Sequence, residues 1–175
     1  HGANRIHPVF SELIRQAGQG EILHNDDTSM KVLELIAENQ VADDTERTGI
    51  FTTGIVARQQ QRTIALFFTG RRHAGENIAK VLAARQNGLD PPIQMCDALS
   101  RNFSEEFQAI LANCLVHGRR NFVELVEHFP EECNYVLKTL AEVYHHEAIA
   151  VEKAMPPHDR LLYHQTESGP LMEKL

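Results

Sequence analysis

Two aspartates are placed where they could do chemistry together. Asp26 follows a short, largely apolar run from Glu21 to Asn25, and Asp97 follows another, Ile93 to Cys96. Each run reads as a buried strand with an acid at its C-terminal end, so a sheet that pairs the two strands would set the carboxylates side by side. Two hard carboxylates close together suit Mg²⁺ or Mn²⁺. In a two-metal site, ions about 4 Å apart clamp the attacking and leaving oxygens of an in-line phosphoryl transfer. The protein then supplies positioning and charge neutralisation. The plainer reading of either aspartate alone is that it opens a turn. Two such placements in one chain make the pair worth following.

The elements that must carry these acids can be read along the chain. After Asp26-Asp27-Thr28 the apolar pattern resumes from Ser29 to Ile36, and Glu38 to Gly49 is polar, acidic and Gly-terminated, a surface loop. Ile50 to Ala57 and Thr63 to Phe68 are rich in β-branched and aromatic residues and flank a polar segment, which predicts an antiparallel hairpin. Ala74 to Gln86 places Ile78, Val81 and Leu82 on one helical face, with Asn87-Gly88 as the stop. Pro91-Pro92 leads into the second acid-ending strand. Ser104-Glu105-Glu106 reads as a helix start, with Phe103, Phe107, Ile110 and Leu111 on one face. Asn113 to Val116 is a candidate fifth strand, and Gly118 to His128 a helix that Pro130 ends. Cys133, Val136, Leu137, Leu140, Val143, Tyr144 and Val151 mark the longest amphipathic helix, stopped by Pro156-Pro157, with at least one more helix beyond.

Strand, strand, strand, helix, strand, helix, strand and then several helices is the order of an α/β domain with a mixed sheet and a helical appendage. Ribonuclease-H-like folds have that order. Two other enzyme classes fit less well. Haloacid-dehalogenase-like phosphatases need two aspartates separated by one residue, and Asp26 and Asp27 are adjacent. Receiver domains alternate strand and helix from the start, which the hairpin breaks.

Composition sets the outer bounds. The chain has 175 residues, 42% apolar and 23% charged, enough for one domain with its own core. It contains no apolar run of the ~18 residues that span a bilayer and opens on no secretory leader, so a soluble, cytoplasmic protein without membrane partners is expected. Three cysteines, Cys96, Cys114 and Cys133, fit free thiols in a reducing compartment. A net charge of −7 argues against a dedicated DNA-binding module, though a metal-dependent nuclease core must itself carry carboxylates. The local basic pairs are Arg71-Arg72 and Arg119-Arg120, either solvated surface or contacts to phosphate.

His24-Asn25-Asp26-Asp27-Thr28, Cys96-Asp97, the Cys-x-x-His-x-Arg-Arg-x-Phe run from Cys114 to Phe122, and the helix around Tyr144 to Glu147 resemble, in that order, the transposases of insertion sequence 66. The resemblance covers the chain from about Glu21 onward. It implies a bacterial DDE transposase acting on transposon-end DNA as a homo-oligomer in a synaptic complex. Asp26 and Asp97 match the first two catalytic, metal-binding acids, with Mg²⁺ or Mn²⁺ in a two-metal site. Cys114 and His117 match a structural motif of these enzymes between the second and third acids, and Arg71, Arg72, Arg119 and Arg120 are candidate DNA contacts. Read alone, Cys114 and His117 fit core packing with one hydrogen-bonded imidazole. A zinc site adding Cys133 or His145 lacks the repeated short spacing of a strong zinc motif.

Two departures stand against the family pattern. Ala98-Leu99 follows Asp97 where the family often has Gly-Tyr, and the downstream Asp-Asn-Asn-x-x-Glu-Arg motif expected to hold the third acid does not occur before Leu175. Glu147 is the in-chain substitute; it falls on the apolar face of its helix, where it serves either catalysis or a pairing with His145, His146 or an Arg. The expected organisation is a lead-in at 1–20, a partial ribonuclease-H-like core at 21–128 and a truncated helical insertion at 129–175. The expected function is metal-dependent cleavage and transfer of DNA strands, by a catalytic-domain fragment that lacks its third acid. The alternative is a non-catalytic DNA- or protein-interaction domain that keeps the fold.

Overall fold

The computed structural model describes residues 2–31 and 49–175, in two compact units, 1–114 and 115–175. The loop expected at Glu38 to Gly49 lies outside the described residues except for Gly49, which opens a strand.

The first unit is a five-stranded mixed sheet with helices, an α/β architecture. Its elements are α1 (Gly2–Ala17), β1 (Ile22–Lys31), β2 (Gly49–Gln59), β3 (Arg62–Gly70), α2 (Ala74–Leu82), β4 (Ile93–Cys96), a 3₁₀ turn (Ser100–Asn102) and β5 (Ile110–Asn113). The strands lie in the order β3-β2-β1-β4-β5. β1, β2 and β3 pair antiparallel, while β4 runs parallel to β1 on one side and to β5 on the other.

Strand alternation sorts the side chains onto two faces. Leu23, Ile55, Ala57 and Leu66 point to one face, where they meet Ile14 and Ala17 of α1 and Ile78, Val81 and Leu82 of α2 to form the core. Phe10, Ile14 and Ala17 recur at helical spacing along α1, and the Phe10 ring lies 5.7 Å from that of Phe68. The segment that the sequence sets apart as a lead-in is thus a helix of the core. On the opposite face Phe67, Ile93 and Ile110 are exposed.

The hairpin forms as expected, with register Gln59↔Arg62 and a two-residue turn in which Gln60 takes φ 53°. β4 occupies the expected residues. β1 does not stop at the acids. It continues through Asp26 and Asp27 to Lys31, because β2 pairs with it residue by residue as far as Lys31↔Gly49. α2 ends at Leu82 rather than Gln86. The residues beyond it are held by tertiary bonds: Gln19 donates to the Ala84 carbonyl and accepts from the Gln86 N–H, while Arg85 donates to the carbonyls of Gly18 and Gly20.

The helix expected from Ser104 does not form. Ser104 Oγ accepts the Glu106 N–H in a local turn, and pairing with β4 claims Ile110 to Asn113 as β5, three residues upstream of the strand expected at Asn113 to Val116. The amphipathic signal around Phe103 and Phe107 reflects burial beside a sheet edge, not helical periodicity.

The second unit is helical: α3 (Leu115–Leu125), α4 (Pro130–Glu152), α5 (Pro157–Tyr163), a π-helical turn (His164–Ser168) and α6 (Gly169–Met172). α3 starts three residues earlier than expected. Pro130 stands in the first turn of α4, where its missing N–H costs no helical bond. Cys133, Leu140, Val143 and Ala150 form the buried stripe of α4.

Candidate functional site

β1 carries two neighbouring acids, and alternation sends them to opposite faces. Asp27 shares the core face with Leu23 and Asn25, and its side chain is only 3% exposed. There it accepts hydrogen bonds from Thr53 Oγ1 at 2.6 Å and from the Ala74 N–H, the first residue of α2, at 2.9 Å. The carboxylate therefore caps a helix from another element and sits against the positive end of its dipole. Asn77, one turn into α2, donates to the same Thr53 hydroxyl. Glu76 completes the helix start by accepting the His73 N–H. Asp27 is thus committed to holding α2 on the sheet.

Asp26 is left on the other face, exposed, with Oδ1 accepting the Asp27 N–H at 3.0 Å. β1 and β4 pair in parallel at Ile22↔Ile93, Leu23↔Gln94 and His24↔Met95. Two steps further along that register stands Asp26 on β1 and Asp97 just past β4. Neighbouring strands are about 4.8 Å apart. The two acids that the sequence singles out are therefore brought to neighbouring positions, Asp26 on β1 and Asp97 at the end of β4. The thiol of Cys96 registers both: burial first, then the charges of Asp97 and Asp26 and the neighbouring Cys114, push its pKa up.

Asp97 is half-buried. Its Oδ1 accepts the Leu99 N–H at 3.1 Å and the side-chain amide of Asn102. Ala98-Leu99, the departure from the family pattern, thus closes a tight turn on the Asp97 carboxylate. The second oxygens of both Asp26 and Asp97 have no hydrogen-bond partner among the described residues.

Beneath the two acids lies a buried layer of amides that sequence reasoning missed. Asn25 and Gln94, 4% and 1% exposed, face each other across β1 and β4. Gln94 donates to Asn25 Oδ1 at 2.8 Å, and both side chains donate to the backbone carbonyl of Asn102. The signal that could have found Asn25 is alternation: if Leu23 faces the core, so do Asn25 and Asp27. Nothing periodic marks Asn102, which lies in a loop.

The remaining sequence candidates fall elsewhere. Arg71 and Arg72 are exposed on the connection between β3 and α2, and Arg119 and Arg120 are exposed on α3. Cys114 is half-buried and donates its N–H to the Cys96 carbonyl. His117, in the first turn of α3, has a buried Nδ1 without a partner among the described residues. Cys133 is buried on α4 and His145 exposed. Among the described residues no group of three or more His, Cys, Asp or Glu could hold a metal ion, and Asp26 and Asp97 stand as a pair.

Glu147 does lie on the buried stripe of α4, at the spacing of Val143 and Ala150, but its side chain keeps 36% exposure. It pairs with Arg160 of α5 through both oxygens and with His164 Nε2 at 2.9 Å. The arginine partner is the one the sequence left unspecified. His164 Nδ1 lies 2.9 Å from Ser168 Oγ, which lies 3.2 Å from His146 Nδ1. Burial pulls the Glu147 pKa up, but the His164 hydrogen bond and the charge and hydrogen bonds of Arg160 outweigh it and leave the carboxyl below its ordinary value. A folded pKa below the unfolded one gives stability that is present above the unfolded value of about 4.3 and is lost as pH falls through the folded value. Melting of the second unit should therefore decline as pH drops below about 4.3. Glu147→Gln should flatten that acid limb, by less than about 1 kcal/mol because the pair is partly solvated.

Among the described residues no helix is long and apolar enough to cross a membrane. In comparisons with known proteins, the family model described as Transposase IS66 family matches residues 1–175. No curated protein and no solved structure matches.

Proposed function

The chain belongs to the IS66 family of transposases, and from that premise we propose that its first unit is a ribonuclease-H-like catalytic core in which Asp26 and Asp97 bind divalent metal for DDE-type cleavage and transfer of DNA strands. The observation that carries the proposal is the parallel register of β1 and β4, which brings the two acids to neighbouring strands. Sheet order and strand directions are compatible with that fold.

The donor set fits the ion. Mg²⁺ is commonly held by one or two carboxylates together with water and substrate phosphates, and Asp26 and Asp97 each keep an oxygen without a protein partner among the described residues. A bound Mg²⁺ or Mn²⁺ pair would activate the attacking oxygen and neutralise charge on the phosphoryl group. The chain's own contribution is to present the two carboxylates at neighbouring positions on β1 and at the end of β4. Asp27 fixes the sheet to α2 and takes no part in binding. Glu147 would have to release Arg160 and His164 to act as a third acid. The partner is DNA at transposon ends, with Arg71, Arg72, Arg119 and Arg120 as phosphate contacts, in a homo-oligomeric assembly.

Calorimetric titration of the purified chain with Mn²⁺ tests the metal site. Wild type should bind, and Asp26→Asn and Asp97→Asn should each lose affinity by more than the roughly 100-fold that removal of an outer partner costs. Absence of binding in wild type would favour a non-catalytic interaction domain.

A further inference from the structure

We propose that Asn102 is a positioning residue for Asp97: its buried amide pins one oxygen of the carboxylate to the protein and leaves the other for a metal. The inference rests on the reading of Asp26 and Asp97 as metal ligands.

Three observations carry it. Asn102 is 1% exposed, yet among the described residues its side chain makes a single hydrogen bond, and that bond goes to Asp97 Oδ1. Its own Oδ1 is buried without a partner among the described residues. Burying an amide half-satisfied costs free energy that an apolar residue of similar size would not, so packing alone does not account for an asparagine here.

The second observation is how the residue is held. The side chains of Asn25 and Gln94 donate to the Asn102 backbone carbonyl at 2.7 and 2.9 Å. These two residues stand immediately before Asp26 on β1 and three residues before Asp97 on β4. The 3₁₀ turn of Asn102 is thereby locked to the two strands that present the acids.

The third is the division of labour within Asp97. Oδ1 takes both the Leu99 N–H and the Asn102 amide, and Oδ2 takes neither. Partners that orient a metal-binding carboxylate from behind in this way commonly tune affinity 10- to 100-fold. Sequence alone hides the role, because Asn102 lies five residues past Asp97 in a segment without strand or helix periodicity.

The test compares Mn²⁺ affinity, by calorimetry, with thermal unfolding of the metal-free chain for wild type, Asn102→Leu and Asn102→Ala. Both substitutions keep the backbone carbonyl that Asn25 and Gln94 bind, so the amide layer can persist. Leu keeps the volume, and the smaller Ala answers the same question if the Leu chain does not fold. At a temperature where each variant is folded, the Mn²⁺ dissociation constant should rise about 10- to 100-fold. The metal-free melting temperature should not fall in parallel. A folded variant that binds Mn²⁺ as wild type does, while Asp97→Asn does not, overturns the role of Asn102 and leaves the metal site standing. If wild type binds no Mn²⁺, the metal reading fails first and this inference falls with it.

Discussion

Asp27→Ala is expected to destabilise the first unit by about 3 kcal/mol. The substitution strips the cap from α2 and leaves the Thr53 hydroxyl and the Ala74 N–H buried without an acceptor. Asp26→Ala, one residue away, should shift stability by no more than about 0.5 kcal/mol, because Asp26 is exposed and among the described residues accepts a hydrogen bond only from the next residue's N–H. Chemical denaturation followed by circular dichroism separates the two. Equal losses would mean that the sheet faces are assigned wrongly. The same pair should behave in reverse toward metal: Asp26 substitution removes binding, whereas Asp27→Asn, in chains that remain folded, keeps it.

The second large effect is stabilisation by metal. A ligand that binds only the folded chain adds about 2.7 kcal/mol at a concentration 100 times its dissociation constant. For a chain of this size that corresponds to a rise of roughly 5–10 °C in melting temperature. Two compact units make the prediction sharper. Saturating Mn²⁺ should move only the transition of the unit that contains Asp26 and Asp97, and Glu147→Gln should alter only the other. Scanning calorimetry with Mn²⁺ and with EDTA reads both at once. A shift that persists in Asp97→Asn would place the metal elsewhere.

How much of this could be read before folding depends on what each residue's neighbours are. The β2–β3 hairpin and β4 are legible because their apolar residues are local and bounded by turn or proline signals. The face of α2 is legible from three residues at helical spacing. β1 is not legible to its end: from Asp26 to Lys31 it holds mainly polar residues, and strand geometry there is imposed by β2 alongside. The false helix at Ser104 failed for the complementary reason, since a local helix-start signal lost to sheet pairing that begins at Ile110.

For the site, Asp26 and Asp97 were legible as a pair of strand-end acids, but the different surroundings of Asp26 and Asp27 were not. Asp26 and Asp27 look equivalent in a string of letters. Only period-two alternation from Leu23, together with the helix start at Ala74, tells that one faces outward and the other caps. Asn102 acquires meaning from a carbonyl and an amide that point in different directions, and no spacing rule encodes that.

The parallel pairing of β1 with β4 has a kinetic side. It joins Asp26 to Asp97 across a separation of 71 residues (97 − 26), yet β1 and β4 share only three register pairs. The β2–β3 hairpin, closed by two residues, is local and can form early, whereas the β1–β4 contact, far more distant in sequence, is expected to form later. Opening should run in the opposite order. In hydrogen exchange, amides of β4 and β5 should lose protection at lower free energy than those of the hairpin. An opening of that kind separates the two acids while most of the sheet is still intact, so occupancy of the site by an ion would report on the last step of assembly.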